Sequence, residues 1–230
     1  MFPRLVRLGE ETWLVEFEPR LDPIVNDKVL AIAEALERTR PAGVFDIVPA
    51  CASLAVHADP GIVDEAALRS RLETLLRESP STASPSRTHD IPVCYEPSFG
   101  LDLDEVSRAS DCRVDDVVAR HSGAEYRVFM LGFLPGFAYL GIVDERIAVP
   151  RRATPRPVVP TGSVGIAGRQ TGIYAIESPG GWQIVGRTPV RLFDTAGDRR
   201  PVLRPGDRVR FVPIDADRFS RLASSAEISS

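Results

Sequence analysis

The sequence predicts an α+β domain over residues 1–86, followed by a domain of short β-strands, a barrel or a sandwich, over residues 87–230. Two observations support this prediction. Helical and strand-like periodicities alternate in the first part of the chain, as in a small α+β domain. Further on, twelve of the 17 glycines and nine of the 20 prolines fall between Gly132 and Gly206. Prolines at this density exclude long helices there and favour short strands joined by tight turns.

The N-terminal part contains five recognisable elements. Alternating apolar residues predict a strand over 12–17, and the capping residue Asp22 followed by Pro23 predicts the start of a helix. The remaining predictions are strands over 44–48 and 53–57 and a helix over 64–77. This order is most of a ferredoxin-like split βαβ unit. The run Ile91–Tyr95 either completes that sheet or opens the next domain, and the sequence leaves both options open.

A polar segment rich in serine and proline, Ser79–Ser86, separates the two parts. Such a composition is typical of a linker, so we place the domain boundary here. Beyond it the sequence predicts helices near 103–109 and 114–121, and a short helix after Pro213. The short apolar runs that predict strands are Tyr126–Met130, Val164–Ala167, Tyr174–Ile176, Gln183–Val185, Val190–Phe193 and Arg208–Val212.

Composition disfavours several classes of function. The net charge of −4 gives no general attraction to nucleic acid or to anionic membranes. The first residues lack the features of a signal peptide, and no run approaches the ~18 apolar residues of a membrane-spanning helix. The three cysteines are scattered and lack CxxC spacing, which fits a reducing compartment. We therefore expect a cytoplasmic protein.

The residue types present limit the chemistry that the chain can perform alone. It has 27 arginines and one lysine, Lys28, which lies in a predicted surface helix. Schiff-base, Ser-Lys and phosphate-loop mechanisms are therefore disfavoured. The glycine-rich run Gly162–Gly168 lacks the lysine of a phosphate loop, and Ser163 has threonine where a GxSxG elbow requires glycine. The three histidines are isolated from one another, so we expect no metal site.

One group of residues is compatible with a binding site. Aromatic side chains can form a dry wall, glycine lets backbone amides approach a ligand, and arginine binds a carboxylate or phosphate through two parallel hydrogen bonds. The residues of these types between Gly132 and Arg187 are Phe133, Phe137, Tyr139, Arg151, Arg152, Arg156, Gln170, Tyr174, Glu177, Ser178, Trp182 and Arg187. They indicate either a site for a small anion or a β-rich core with solvated arginines.

Ordered motifs in the same region resemble those of a known family. They are Gly132–Gly141 (GFLPGFAYLG), Pro150–Arg156 (PRRATPR), Gly162–Gly172, Glu177–Trp182 (ESPGGW) and Gly186–Pro189 (GRTP). Upstream, Asp46–Pro49, and His121 with Glu125–Arg127, fit the same pattern. The chain resembles the KipI, or allophanate hydrolase subunit 1, family over Arg4–Val212, which is most of its length.

The resemblance implies a small α+β domain followed by a cyclophilin-like β-barrel. Most bacterial members resemble the B subunit of 5-oxoprolinase, which acts with the A and C subunits to open 5-oxo-L-proline to L-glutamate using ATP. Other members resemble an inhibitor of a histidine kinase, and the unit also occurs fused within urea carboxylase. The expected partners are a large KipA-like C subunit (allophanate hydrolase subunit 2) and a LamB/YcsF-type A subunit. We expect ATP, with Mg²⁺, at a subunit interface, no tightly bound cofactor in this chain, and no activity of the chain alone.

The resemblance also suggests roles for individual residues, in which arginines bind the oxoproline carboxylate and the ring carbonyl is polarised nearby. The expected catalytic residues are His121, Gln170 and Arg187. The expected substrate-binding residues are Phe133, Phe137, Arg151, Arg152, Arg156, Gly168, Tyr174, Glu177, Ser178 and Trp182. His121 is the expected general acid or base because it is the one histidine beside a family motif; the alternative is a structural role at the C-terminus of a helix.

Overall fold

The computed structural model describes residues 3–78, 86–194 and 200–228. Contacts within the chain divide it into two compact units, Met1–Pro85 and Ser86–Ser230. The predicted linker, Ser79–Ser86, lies outside the described residues except for Ser86. That the chain folds as separate domains, 1–86 and 87–230, stays a prediction. Within the described ranges, no helix has the length and apolar character needed to cross a bilayer.

The first unit is a four-stranded antiparallel sheet with two helices. Its elements are β1 (Arg4–Leu8), β2 (Thr12–Glu16), α1 (Pro23–Thr39), β3 (Val44–Pro49), β4 (Ser53–Ala58) and α2 (Glu65–Glu78). The strand order is β1-β2-β4-β3, so β4 lies between the two strands that α1 connects. Strand β1 was missed at the sequence level because Arg4 and Arg7 interrupt its apolar alternation.

The core of this unit lies between the two helices and one face of the sheet. Leu36 of α1, Leu54 of β4 and Leu72 of α2 are fully buried in it. Each buried leucine contributes about 1.5–3 kcal/mol, so this core rather than local propensity stabilises the helices. Helix α1 begins as predicted, because the Asp22 carboxylate accepts a hydrogen bond of 2.8 Å from the Ile24 N–H.

The second unit is built around a closed barrel of seven strands. Its helices are α3 (Leu103–Ser110), α4 (Val114–Ser122) and α5 (Ala216–Ile228), and a 3₁₀ turn covers Glu145–Ile147. Its strands are β5 (Thr88–Cys94), β6 (Glu125–Leu131), β7 (Ala138–Gly141), β8 (Arg156–Val159), β9 (Ser163–Ala167), β10 (Gln170–Ile173), β11 (Ser178–Gly180), β12 (Gln183–Arg187) and β13 (Arg208–Ile214). The barrel order is β10-β7-β6-β13-β5-β12-β9, and β8 pairs with β11 in a separate two-stranded ribbon. An α+β chain with a closed barrel is thus confirmed.

The structure decides between the two options for the segment 91–95, and two strand predictions for the second unit need correction. Strand β5 pairs in parallel with β13, so the segment 91–95 belongs to the barrel and not to the first sheet. The predicted strand over 174–176 is wrong, since β10 ends at Ile173. The predicted strand over 190–193 is also wrong, because only an isolated bridge from Phe193 to Pro201 forms there. Short strands such as β7 and β10 carry too few residues to show a recognisable period.

The barrel has an apolar interior and a second apolar surface outside. On β9, Val164 and Ile166 belong to the main core, whereas Gly165 between them faces Trp182 and Ile184. Because successive residues of a strand point to opposite faces, the Trp182 side lies outside the barrel. A second hydrophobic cluster packs on this outer face, and it contains most of the aromatic residues singled out in the sequence.

Candidate functional site

Four aromatic side chains form one cluster on the outer face of the barrel. The Phe137 ring lies in the middle, with its centroid 4.8 Å from that of Tyr139. The centroids of Tyr174 and Trp182 are 5.1 and 5.4 Å from it. All of these rings meet edge to face, which is a geometry that aromatic quadrupoles favour. The structure therefore brings together the predicted residues Phe137, Tyr174 and Trp182.

The cluster depends on the absence of a side chain at Gly172 of β10. A Cβ atom there would lie 3.0 Å from the rings of both Phe137 and Trp182 and 2.9 Å from the Ala138 carbonyl oxygen. We expect Gly172→Ala to lower the free energy of unfolding by about 1–3 kcal/mol, because these groups cannot all move away. Urea unfolding followed by tryptophan fluorescence measures the change. The matched control is Gly132→Ala, where the nearest side-chain atom is 3.4 Å from the new Cβ, and equal losses for both variants would contradict the prediction.

Phe133 extends the aromatic cluster to the protein surface. Its ring centroid lies 5.6 Å from that of Phe137, and the side chain is 61% exposed. Its φ angle of 68° lies in the left-handed region, which a residue other than glycine adopts only when the surrounding structure requires it. The strained segment thus holds an apolar ring in solvent at the rim of the cluster, where it is available to contact another molecule.

Three predicted arginines border the same aromatic cluster. The guanidinium carbon of Arg151 lies 5.9 Å from the centroid of the Trp182 ring, within the range of a cation–π contact. The backbone N–H of Arg152 donates to the Gly181 carbonyl oxygen at 2.8 Å, which ties this segment to the residue before Trp182. Arg156 begins β8, where it pairs with Gly180 of β11. Arginines and aromatic residues therefore meet at the β8–β11 ribbon.

Asp102 is the residue of this site that the sequence analysis missed. It is only 3% exposed, and its carboxylate accepts hydrogen bonds of 2.6 Å from Arg152 Nη1 and from both Nη atoms of Arg156. The Ile184 N–H of β12 donates to the same carboxylate at 2.7 Å. In sequence, an aspartate just before a predicted helix indicates a capping residue, so its pattern alone gave no sign of this role.

Tyr174 connects the aromatic cluster to the arginines. Burial raises the pKa of its hydroxyl; a hydrogen bond with the Trp182 backbone and the charges of Arg151 and Arg156 act in the opposite direction. A Cβ atom at Gly180 would overlap with the Tyr174 hydroxyl group, so glycine is required where β11 crosses this ring. The charges of two arginines therefore act on this hydroxyl, which stays a neutral hydrogen-bonding group.

The structure places Glu177 and Ser178 next to this region without building them into it. Ser178 is buried at the start of β11, where it pairs with Val159, and its hydroxyl donates to the Pro179 carbonyl oxygen at 3.2 Å. Glu177 precedes it and is exposed. The binding roles expected for both residues stay predictions.

Of three other predicted site residues, Arg187 lies away from the aromatic cluster, whereas Gln170 and Gly168 flank Ala167, which packs against it. Arg187 is at the opposite end of β12 from Trp182, about 13 Å along the strand, and its Nε donates to the Thr161 carbonyl oxygen at 2.8 Å. Gln170 begins β10, where it pairs with Ala167, and Gly168 lies in the turn between these two residues. The binding role expected for Gly168 and the catalytic roles expected for Gln170 and Arg187 stay predictions.

His121 lies in the interior of the barrel rather than at its surface. Its side chain is fully buried, Tyr95 contacts its Nδ1 at 2.8 Å, and Thr171 contacts its Nε2 at 2.9 Å. The Thr171 hydroxyl also donates to the Gly165 carbonyl oxygen, which assigns the proton of the neutral imidazole to Nε2. Burial lowers the pKa of His121 to about 3. This environment favours a structural role, and it differs from the partly positive helix-terminal ring that the sequence suggested.

The buried imidazole makes stability sensitive to acid. Because the pKa of His121 is about 3 when folded and about 6.5 when unfolded, the unfolded chain binds one extra proton between these values. The contribution of His121 to the free energy of unfolding is therefore fully present above pH 6.5. It is lost as the pH falls towards 3, by up to about 1.4 kcal/mol per pH unit. Urea unfolding at several pH values should show a steeper decline for the wild type than for His121→Gln. If the free energy of unfolding fell equally with pH in both proteins, the lowered pKa of His121 would be ruled out as the cause.

Among the described residues, no group of three or more histidine, cysteine or carboxylate side chains is arranged to hold a metal ion. Anion-binding groups are present instead, at Arg151, Arg152 and Arg156. The Nε of Arg152 is buried and has no hydrogen-bond partner within the described ranges. The donor set at these arginines therefore fits a carboxylate or phosphate group, and the part of the chain that the structure describes shows no carboxylate cage for Mg²⁺.

A family model and a curated protein both match nearly the whole chain. The model of the carboxyltransferase domain, subdomains C and D, matches residues 3–203. The chain is 39% identical over 222 residues to the 5-oxoprolinase B subunit of Bacillus subtilis, covering 92% of both proteins. The range that the family model matches includes every residue of the aromatic and arginine groups.

Two solved structures have similar folds within longer chains. TTHA0988 matches with a TM-score of 0.79 and 37% identity, over 89% of this chain. The present chain spans only 40% of the length of that protein. The Kluyveromyces lactis urea amidolyase matches with a TM-score of 0.79 over 96% of this chain and 15% of its own. At 22% identity this second likeness concerns the fold alone.

Proposed function

Because the chain belongs to the carboxyltransferase domain family, subdomains C and D, we propose that it is the B subunit of an ATP-dependent 5-oxoprolinase. In this role it helps to hydrolyse 5-oxo-L-proline to L-glutamate together with a LamB/YcsF-type A subunit and a large KipA-like C subunit. The similarity to the Bacillus subtilis protein of that name supports the proposal over nearly the whole chain.

One structural observation supports the proposal most strongly, namely the excess of positive charge beside the aromatic cluster. The carboxylate of Asp102 contacts two guanidinium groups, and Arg151 adds a third cation over Trp182. 5-Oxoproline is a small, flat lactam ring with one carboxylate. Guanidinium groups bind a carboxylate through parallel hydrogen bonds, and an aromatic wall contacts the apolar faces of a ring.

The chemistry of the substrate suggests what these residues do. A lactam is a stable amide, so we propose that the complex transfers the γ-phosphoryl group of ATP to the ring carbonyl oxygen. Water then adds to that carbon, and the C–N bond breaks as the nitrogen takes up a proton, which leaves an acyl phosphate. A second water hydrolyses the acyl phosphate to the carboxylate of glutamate and inorganic phosphate. In this chain the arginines orient the substrate through its carboxylate, while the exposed ring of Phe133, which packs on Phe137, excludes bulk water from one face. ATP binds where a partner protein meets this chain.

Several finer features form part of the same proposal. The first unit is a ferredoxin-like domain and the second a cyclophilin-like barrel, with the boundary at residue 86. The isolated chain is inactive, because it has no phosphate-loop lysine. The complex works in the cytoplasm. The likeness to urea amidolyase extends only to the fold, so we do not adopt a urea or allophanate substrate.

Reconstitution tests the proposal. The purified chain is mixed with the A and C subunits, and glutamate and ADP are measured with 5-oxoproline and ATP present. We expect glutamate release only when the chain, both partners and ATP are all present. A complex that assembles but releases no glutamate would contradict the proposal. Loss of autophosphorylation when the chain is added to a histidine kinase would favour the inhibitor alternative instead.

A further inference from the structure

We infer that Asp102 is a positioning residue that aims the guanidinium group of Arg152 at the substrate carboxylate; this inference rests on the proposed function. Nothing in the sequence motifs includes Asp102, which lies about 50 residues before the arginines that it contacts. Two observations support this role. The carboxylate is held rigidly, and its two arginine partners bind it through different numbers of hydrogen bonds.

The barrel holds the Asp102 carboxylate in a fixed place. The backbone N–H of Asp102 donates to the Ile184 carbonyl oxygen at 2.8 Å, and the Ile184 N–H donates to the carboxylate at 2.7 Å. Two hydrogen bonds to one residue of β12 leave little freedom for a side chain that is 3% exposed. A group held by a barrel strand provides a more rigid reference point than a group on a loop.

A capping function does not account for this arrangement. Asp102 occupies the position before α3, yet its side chain makes no hydrogen bond to the first turn of that helix. Its carboxylate turns away from the helix, towards β12 and the two arginines. The Asp102 carboxylate makes three hydrogen bonds with guanidinium groups and none with the first turn of α3. We therefore assign its role to the arginines and not to helix capping.

The two arginines are used differently. Arg156 donates from both Nη atoms to Asp102, one to each carboxylate oxygen, which is the paired geometry of a structural ion pair. Arg152 donates from Nη1 only, and its buried Nε has no partner within the described part of the chain. One carboxylate therefore fixes both side chains but leaves one net positive charge and free N–H donors on Arg152. A ligand carboxylate can neutralise this charge and contact the exposed part of the Arg152 side chain, which is 31% exposed.

The test uses the reconstituted complex with Asp102→Asn, which removes the charge and replaces one acceptor oxygen by an NH₂ group. We expect the KM for 5-oxoproline to rise by about ten-fold or more, because Arg152 loses its fixed direction, while the KM for ATP changes less than about two-fold. The matched control is Asp104→Asn, an exposed residue in the first turn of α3, which should leave both constants unchanged. A merely structural role would lower the amount of active complex without changing either KM.

A second variant covers the case in which Asp102→Asn fails to fold or assemble. Asp102→Glu keeps the charge but moves the carboxylate by one methylene group, and the same selective rise in the KM for 5-oxoproline is expected. An assembled variant of either kind with the wild-type KM would overturn the inference. Absence of glutamate release by the wild-type complex would instead reject the proposed function, so the two failures are distinguishable.

Discussion

Replacement of Trp182 by alanine is expected to lower the free energy of unfolding by about 3–5 kcal/mol. The side chain is 5% exposed, and its ring contacts those of Phe137 and Tyr139. Because Gly165 and Gly172 lie beneath it, no neighbouring side chain can fill the space that the ring leaves. Such a loss is a large part of the stability of an ordinary domain, so a substantial unfolded fraction is expected at 37 °C.

Urea unfolding monitored by circular dichroism measures this effect. The control is Phe45→Ala, which removes an aromatic side chain that is 56% exposed and should cost less than about 1 kcal/mol. If Trp182→Ala unfolded at the urea concentration of the wild type, the aromatic cluster would not be the packed structure described here. The substrate contact proposed for Phe133, which packs on this cluster, would then lose its support.

Replacement of Arg152 by alanine is expected to raise the KM for 5-oxoproline in the reconstituted complex by about 10–100-fold. A hydrogen bond to a charged group contributes about 1.5–3 kcal/mol, and this range corresponds to that loss of affinity. Because Asp102 is buried and loses one of its two guanidinium partners but keeps Arg156, we expect the free energy of unfolding to fall by about 1–3 kcal/mol. Arg152→Lys should recover little, since an ammonium group lacks the planar fork of a guanidinium.

The control for this series is Arg108→Ala. Arg108 lies on α3, is 73% exposed, and pairs with Glu105 on the surface. Its removal should leave both kinetic constants unchanged, because an exposed ion pair contributes little. Equal KM values for Arg152→Ala and the wild type would place the substrate carboxylate elsewhere, and Arg151 would become the next residue to test.

The sequence predicted the aromatic part of the site better than the charged part. Phe137, Tyr174 and Trp182 were singled out together, because aromatic residues among glycines can form the dry wall of a binding site. Asp102 was missed since its contacts with Arg152 and Arg156 depend on how α3 packs against β12. Periodicity and spacing describe a local segment and contain no information on such long-range pairs.

The sequence also could not predict which of the selected side chains are buried or lie far apart. His121 was selected because it lies beside a family motif, yet the neighbouring strands enclose it completely and leave it neutral. Arg187 and Trp182 are close in sequence, but an extended strand separates their side chains by about 13 Å. The fold itself was predicted where elements were long, as in α1, and was missed where strands were short, as in β7.

The proposed substrate site is tested most directly by the dependence of glutamate release on 5-oxoproline concentration, measured side by side for reconstituted complexes that contain the wild-type chain or Arg152→Ala. We expect ATP-dependent glutamate release by both complexes, with at least about ten-fold more 5-oxoproline needed for half-maximal rate in the variant. Superimposable curves would contradict the role of Arg152 in binding the substrate carboxylate. Absence of glutamate release by an assembled wild-type complex would contradict the 5-oxoprolinase function.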